Sequence, residues 1–266
     1  FDSGTGTHTL VRTTNTQASG SLFLTFLTRG SWATAPAPEP TDNKGNTYSI
    51  VGTTHAYATY PASLKAVYSS YGLGGSNHAW SMQGADFDEL TISALEIKSA
   101  GVIQASSHVE RAIGSATITS ADITTTGPAT VVAVCFGNGP VGQDHTFTPS
   151  LGWTKVTAAS READMSPNGY IQVTVAYRYF PTAGTYNVTW NTTNLEGGQL
   201  YMVAVTDERY GDNLTQTVGV ATAETFGVSA LTRTLNQATG VPTAETFGAS
   251  SLSVFASESR TLSEAP

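Results

Sequence analysis

Over most of the first 210 positions, apolar and polar residues alternate with a period close to two. That period places successive side chains on opposite faces of an extended strand. The clearest runs cover 20–28, 88–98, 129–136, 170–180, 185–190 and 199–206, each rich in β-branched and aromatic residues. Gly, Pro, Asn and Asp bound them. Dense turn chemistry stands at 42–46, 72–76, 137–140, 167–169 and 196–198. Helical spacing is scarce, and its best stretch, 157–165, is short. Many short strands without intervening helices predict an all-β chain, an antiparallel β-sandwich of jelly-roll-like type over residues 1–210. The predicted core comprises Phe23, Val67, Leu90, Ile92, Val132, Val134, Cys135, Val173, Val175, Val188 and Val203.

The pattern changes after about Tyr210. Lys and Trp disappear, and residues 211–266 become a mixture of Thr, Ala, Ser and Val that contains an internal repeat. The thirteen residues from Gly219 to Leu231 realign with Gly240 to Leu252 at an offset of 21, with ten positions identical. Leu214/Leu235 and Gln216/Gln237 extend the register, so the repeat segment runs 214–252. Each unit has few sizeable apolar groups and cannot bury a core alone. This predicts a short extended β arm or stem that docks on a partner. The expected assembly residues are Val220, Glu224, Phe226, Gly227 and Leu231, with their counterparts Val241, Glu245, Phe247, Gly248 and Leu252.

Composition narrows the function classes. Among 266 residues only 12% are charged, and 12 basic against 20 acidic residues give a formal net charge of −8. The basic residues are scattered, which speaks against nucleic acid as a partner. No apolar run reaches the length of a membrane-spanning helix, so membrane insertion is not expected. Cys135, the one cysteine, lies in an apolar strand and reads as a core residue.

Two stretches carry a resemblance. The Gly-x-x-Thr-Ala-Glu-Thr-Phe-Gly units within Gly219–Leu252 resemble repeats of minor tail proteins and other structural proteins of tailed bacteriophages. A more diffuse similarity, from about Leu22 to Val205, is to a β-sandwich module of phage virion and bacterial surface proteins. It rests on Asp42-Asn-Lys-Gly-Asn-Thr-Tyr48, Gly75-Ser-Asn-His-Ala-Trp80, Ala94-Leu-Glu96, Leu151-Gly-Trp153 and Ala183-Gly-Thr-Tyr-Asn-Val-Thr-Trp190. Glu96 departs from the pattern, being followed by Ile-Lys-Ser. The resemblance implies a non-enzymatic virion component on the outside of an extracellular particle, among other virion proteins. A tail-associated adhesin and a head decoration protein are both compatible with it. It also implies a homo-oligomer, with a trimer favoured.

Candidate chemistry is sparse. The five histidines (His8, His55, His78, His108 and His145) show no metal-binding spacing, and no nucleophile-elbow motif occurs. Asp86 and Asp88 share one face of an extended segment and could hold calcium with a loop carbonyl; otherwise no cofactor is expected. The Asp42–Asn46 turn is a second, weaker calcium candidate. Asp88, Glu89 and Glu96 are the one dense carboxylate set that a glycan-active surface or secreted enzyme would need. The expected ligand-facing edge lies between Tyr57 and Trp80. There Tyr57, Tyr60, Tyr71, Asn77, His78 and Trp80 combine aromatic faces with polar donors suited to a bacterial surface glycan.

Overall fold

The structure, a computed structural model, describes residues 8–30, 39–57, 60–84, 89–98, 100–137, 146–160, 172–207 and four short strands between 233 and 262. Eight strands come first: β1 (His8–Thr14), β2 (Ser21–Gly30), β3 (Thr41–Asp42), β4 (Ser49–Ile50), β5 (His55–Tyr57), β6 (Tyr60–Gly72), β7 (His78–Gly84) and β8 (Glu89–Lys98). Eight more follow: β9 (Ala100–Thr119), β10 (Ile123–Thr125), β11 (Ala129–Gly137), β12 (Phe147–Pro149), β13 (Thr154–Lys155), β14 (Val173–Phe180), β15 (Gly184–Tyr186) and β16 (Thr189–Asp207). All these pairings are antiparallel. Among the described residues the helical content is one 3-10 turn, Thr157–Ala159, where the sequence offered its best helical stretch. No helix there is long and apolar enough to cross a membrane. The antiparallel all-β sandwich is present.

The sandwich is made of two copies of one unit. In the first, the order β4-β6-β2-β8 forms one sheet and β1-β7-β3 the facing one. In the second, β13-β14-β11-β16 repeats the first sheet, and the ends of β9, β16 and β12 repeat the other. The registers match residue for residue. Ser21 opposite Gly72 and Lys98 corresponds to Ala129 opposite Phe180 and Thr206, an offset of 108 on all three strands.

Each unit keeps its own core. Phe23, Leu27, Tyr68, Trp80, Leu90 and Ile92 fill the first. Cys135, Ala176, Trp190, Leu200 and Met202 belong to the second. Between the units lies a third layer, in which Leu24, Phe26 and Val67 meet Val132, Val134, Val175 and Val203. Leu24 and Val132, Phe26 and Val134, and Val67 and Val175 are counterparts under the offset. The units therefore pack through equivalent faces, the arrangement of a two-fold dimer inside one chain. This explains why β2 and β11 read as near-continuous apolar runs rather than clean alternations. Both faces of each strand are buried.

All eleven residues of the expected core are buried. Cys135 is fully enclosed, with Thr174 and Leu200 as its cross-strand neighbours. A thiol reagent should leave it unmodified in the native protein and label one thiol per chain after denaturation. Labelling within minutes under native conditions would contradict this placement.

Part of the repeat segment is also described. β18 (Ala244–Phe247) and β19 (Ser250–Ser253) pair antiparallel, with Glu245 opposite Leu252 and Phe247 opposite Ser250. The strands β17 (Arg233–Leu235) and β20 (Arg260–Leu262) pair on either side of this hairpin in sequence. Of the expected assembly residues, Val220, Glu224, Phe226, Gly227, Leu231, Val241 and Gly248 lie outside the described residues.

Candidate functional site

The loops at one end of the first unit converge on a single carboxylate. Asp42 closes the short strand β3, and a turn through Gly45, at φ +75°, brings the chain back on itself. Oδ1 accepts the backbone N–H groups of Lys44 (2.9 Å) and Asn46 (3.0 Å). Oδ2 accepts Asn46 Nδ2 (2.7 Å), the Tyr48 hydroxyl (2.7 Å) and His78 Nε2 (2.9 Å). Burial works against its charge, but the bonds from Tyr48, His78 and Asn46 outweigh that cost and hold the carboxyl down at about 2. Burial and the neighbouring carboxylate push the Tyr48 phenol up. Both Asp42 oxygens are thus occupied by donors of the protein. The turn that resembles a calcium loop acts as a polar staple.

His78 extends the staple. Its Nδ1 meets Thr16 Oγ1 at 3.1 Å, and that hydroxyl accepts the Gly75 N–H at 2.9 Å. The imidazole stacks on Trp80 with centroids 3.9 Å apart and meets the Phe23 ring edge-on. A second set of bonds pins the same loops from outside. Asn43 Nδ2 donates to the Asn77 carbonyl (2.8 Å), and the Asn77 N–H donates to Asn15 Oδ1 (3.0 Å). Lys44 Nζ donates to the Ser76 carbonyl (3.0 Å). Asn77 sits at φ +51°, a left-handed conformation that Asn tolerates better than most residues. Gly74 has no room for a side chain, since a Cβ there would stand 2.1 Å from the Gln17 carbonyl oxygen.

This geometry corrects part of the expected ligand edge. His78 and Trp80 are 0% and 1% exposed, so neither faces solvent. Their polarity and aromaticity are spent on the Asp42 staple and on the unit's core. Tyr71 and Asn77 are exposed; the Tyr71 hydroxyl donates to the Gly101 carbonyl. Tyr57 and Tyr60 are cross-strand neighbours of β5 and β6. Asp86 and Asp88 lie outside the described residues. Glu96 is engaged as well: its Oε1 accepts the Gln17 N–H (2.8 Å) and the Ser21 hydroxyl (2.7 Å), tying down the β1–β2 connection. Among the described residues, no three His, Cys, Asp or Glu side chains group as metal ligands would.

One cluster was not expected. His55 of the first unit and His108 of the second stack face to face, with ring centroids 3.3 Å apart and planes 9° from parallel. Tyr201 meets both rings, and its hydroxyl donates to the Lys65 carbonyl at 3.0 Å. The His108 Nε2–H donates to Gln199 Oε1, while Gln199 Nε2 donates to the Ala56 carbonyl at 3.0 Å. Burial lowers the pKa of both imidazoles. In the sequence the two histidines are 53 positions apart, with no spacing motif to join them.

Comparison of the chain with protein-family models, with curated proteins and with solved structures finds no match.

Proposed function

We propose that the chain is a non-enzymatic structural protein of a tailed-phage-type virion, associated with the tail, whose sandwich attaches to glycan on the host surface. The observation that carries this reading is the pinned loop end of the first unit. There Asn15, Asn43, Ser76, Asn77 and Tyr71 are exposed on a backbone that Asp42 and its partners hold in place. Such a surface offers amide and hydroxyl groups with an aromatic ring at low ordering cost, which suits a sugar. Few charges and many hydroxyls suit exposure on a particle. The Thr-Ala-Glu-Thr-Phe-Gly repeats supply the anchor in this proposal, docking on equivalent chains around a three-fold axis and on neighbouring virion proteins.

Glycan-array binding by the purified chain tests attachment. Tyr71→Ala and Asn77→Ala are each expected to weaken binding about tenfold, the equivalent of about 1.4 kcal/mol. Antibody labelling of intact particles is expected at the tail; labelling spread over the head would replace attachment with capsid decoration. Release of reducing ends from capsular or cell-wall polysaccharide, abolished in Glu89→Gln or Glu96→Gln, would overturn the non-enzymatic reading.

A further inference from the structure

We propose that the stacked His55–His108 pair is an acid-sensitive clasp between the two units, closed while both rings are neutral and released when they take up protons. The proposal is independent of what the loop end binds. His55 stands on β5 of the first unit and His108 on β9 of the second, so the stack crosses the joint. At 3.3 Å between centroids no water or counter-ion fits between the rings. Gln199 fixes the arrangement from β16, its Oε1 accepting a hydrogen bond from the His108 N–H and its Nε2 donating to the Ala56 carbonyl. Thr53 Oγ1 lies 3.0 Å from His55 Nε2 and orients that ring.

The ionisable groups around the pair come from three strands. Glu110, two residues beyond His108 on β9, favours the charged rings. Lys65 on β6 is the cross-strand partner of His55 and is fully buried. Tyr201 on β16 has its phenol pushed up by burial, so it stays neutral across the range in question. Among the described residues a single carboxylate, Glu110, thus acts on the two imidazoles, and two stacked imidazolium ions would meet with like charges in van der Waals contact. The closed joint therefore favours neutral rings. Its closing equilibrium is at full strength above the ordinary histidine value of 6.5 and weakens as the pH falls through it.

Ring NMR of the full chain between pH 8 and pH 5 measures both groups directly. Both midpoints are expected below 6.5, and the His108 midpoint is expected to rise in His55→Gln, where the like charge is gone. Over the same range, the protection of the amides in β5 and at 105–111, taken relative to intrinsic exchange (which itself slows as the pH falls), should drop about tenfold for each unit by which a midpoint is displaced. The His55→Gln/His108→Gln variant should not show that drop in protection. If the double variant does not fold, the wild-type data still decide. Either histidine titrating at or above 6.5, or exchange in both segments following intrinsic chemistry alone, would overturn the clasp.

Discussion

Asp42→Ala should destabilise the protein by about 3–5 kcal/mol, the range seen when one partner of a buried charged network is removed. The carboxylate accepts five hydrogen bonds from four residues. Without it, the His78 Nε2–H and the Tyr48 hydroxyl are left facing each other in a site from which water is excluded, and each carries a desolvation cost of its own. Asp42→Asn keeps the shape and some of the acceptor capacity, so its loss should be smaller. The same site sets an acid limb. Because the folded carboxyl sits near 2, below its ordinary 3.8, its contribution is complete above about pH 4 and disappears as the pH falls towards 2. Chemical denaturation at pH 7 and pH 3 measures both effects. A loss below 1 kcal/mol for Asp42→Ala at pH 7 would mean that the loop end holds together without its staple.

Trp80→Ala should cost a similar amount, about 3–5 kcal/mol, by leaving a cavity in the first unit's core where the ring packs on Phe23 and His78. For a domain of this size that lowers the melting temperature by roughly 10 °C. The more telling expectation concerns the second unit. Its core holds Trp153 and Trp190 and is a separate cluster from the one that contains Trp80. The layer between the units draws Leu24, Phe26 and Val67 from one side and Val132, Val134 and Val203 from the other. Neither sheet can open without exposing the inner face of its mate, so the two should unfold in one transition. Fluorescence of the second unit's tryptophans is thus expected to shift with amide exchange in the first. Two resolved transitions in Trp80→Ala, with the second unit unmoved, would show that the central layer does not couple them.

The fold class was legible because it rests on local signals. Period-two patterning and turn residues at strand ends needed no long-range information, and apolar residues such as Val132, Val134 and Val175 could only be core. The duplication was not legible. Between residues 64–72 and 172–180, only Val67/Val175 and Tyr71/Tyr179 are identical across the offset. A buried position asks for apolar volume rather than for one residue type, so Leu27 answers to Cys135 and Tyr68 to Ala176. The expected ligand edge failed at His78 and Trp80 for a related reason. A polar residue beside a turn reads as exposed until its partner is known, and Asp42 stands 36 positions away. Tyr71 and Asn77 remain at the surface because their neighbours pin the backbone and leave the side chains outside.

The internal two-fold also changes what dilution can do. Two separate subunits meeting through such a layer would come apart at low concentration, as any reversible dimer does. Here β8 ends at Lys98 and β9 begins at Ala100, so the partners are covalently joined, and the effective concentration of each for the other is fixed by a linker of one residue and not by the number of chains in solution. The tether also lifts a genetic constraint. In a symmetric homodimer every substitution is made twice, whereas here one half can change while its counterpart stays as it was. The His55–His108 stack, which joins unlike positions across the joint, is the kind of asymmetric contact that only a fused pair is free to acquire.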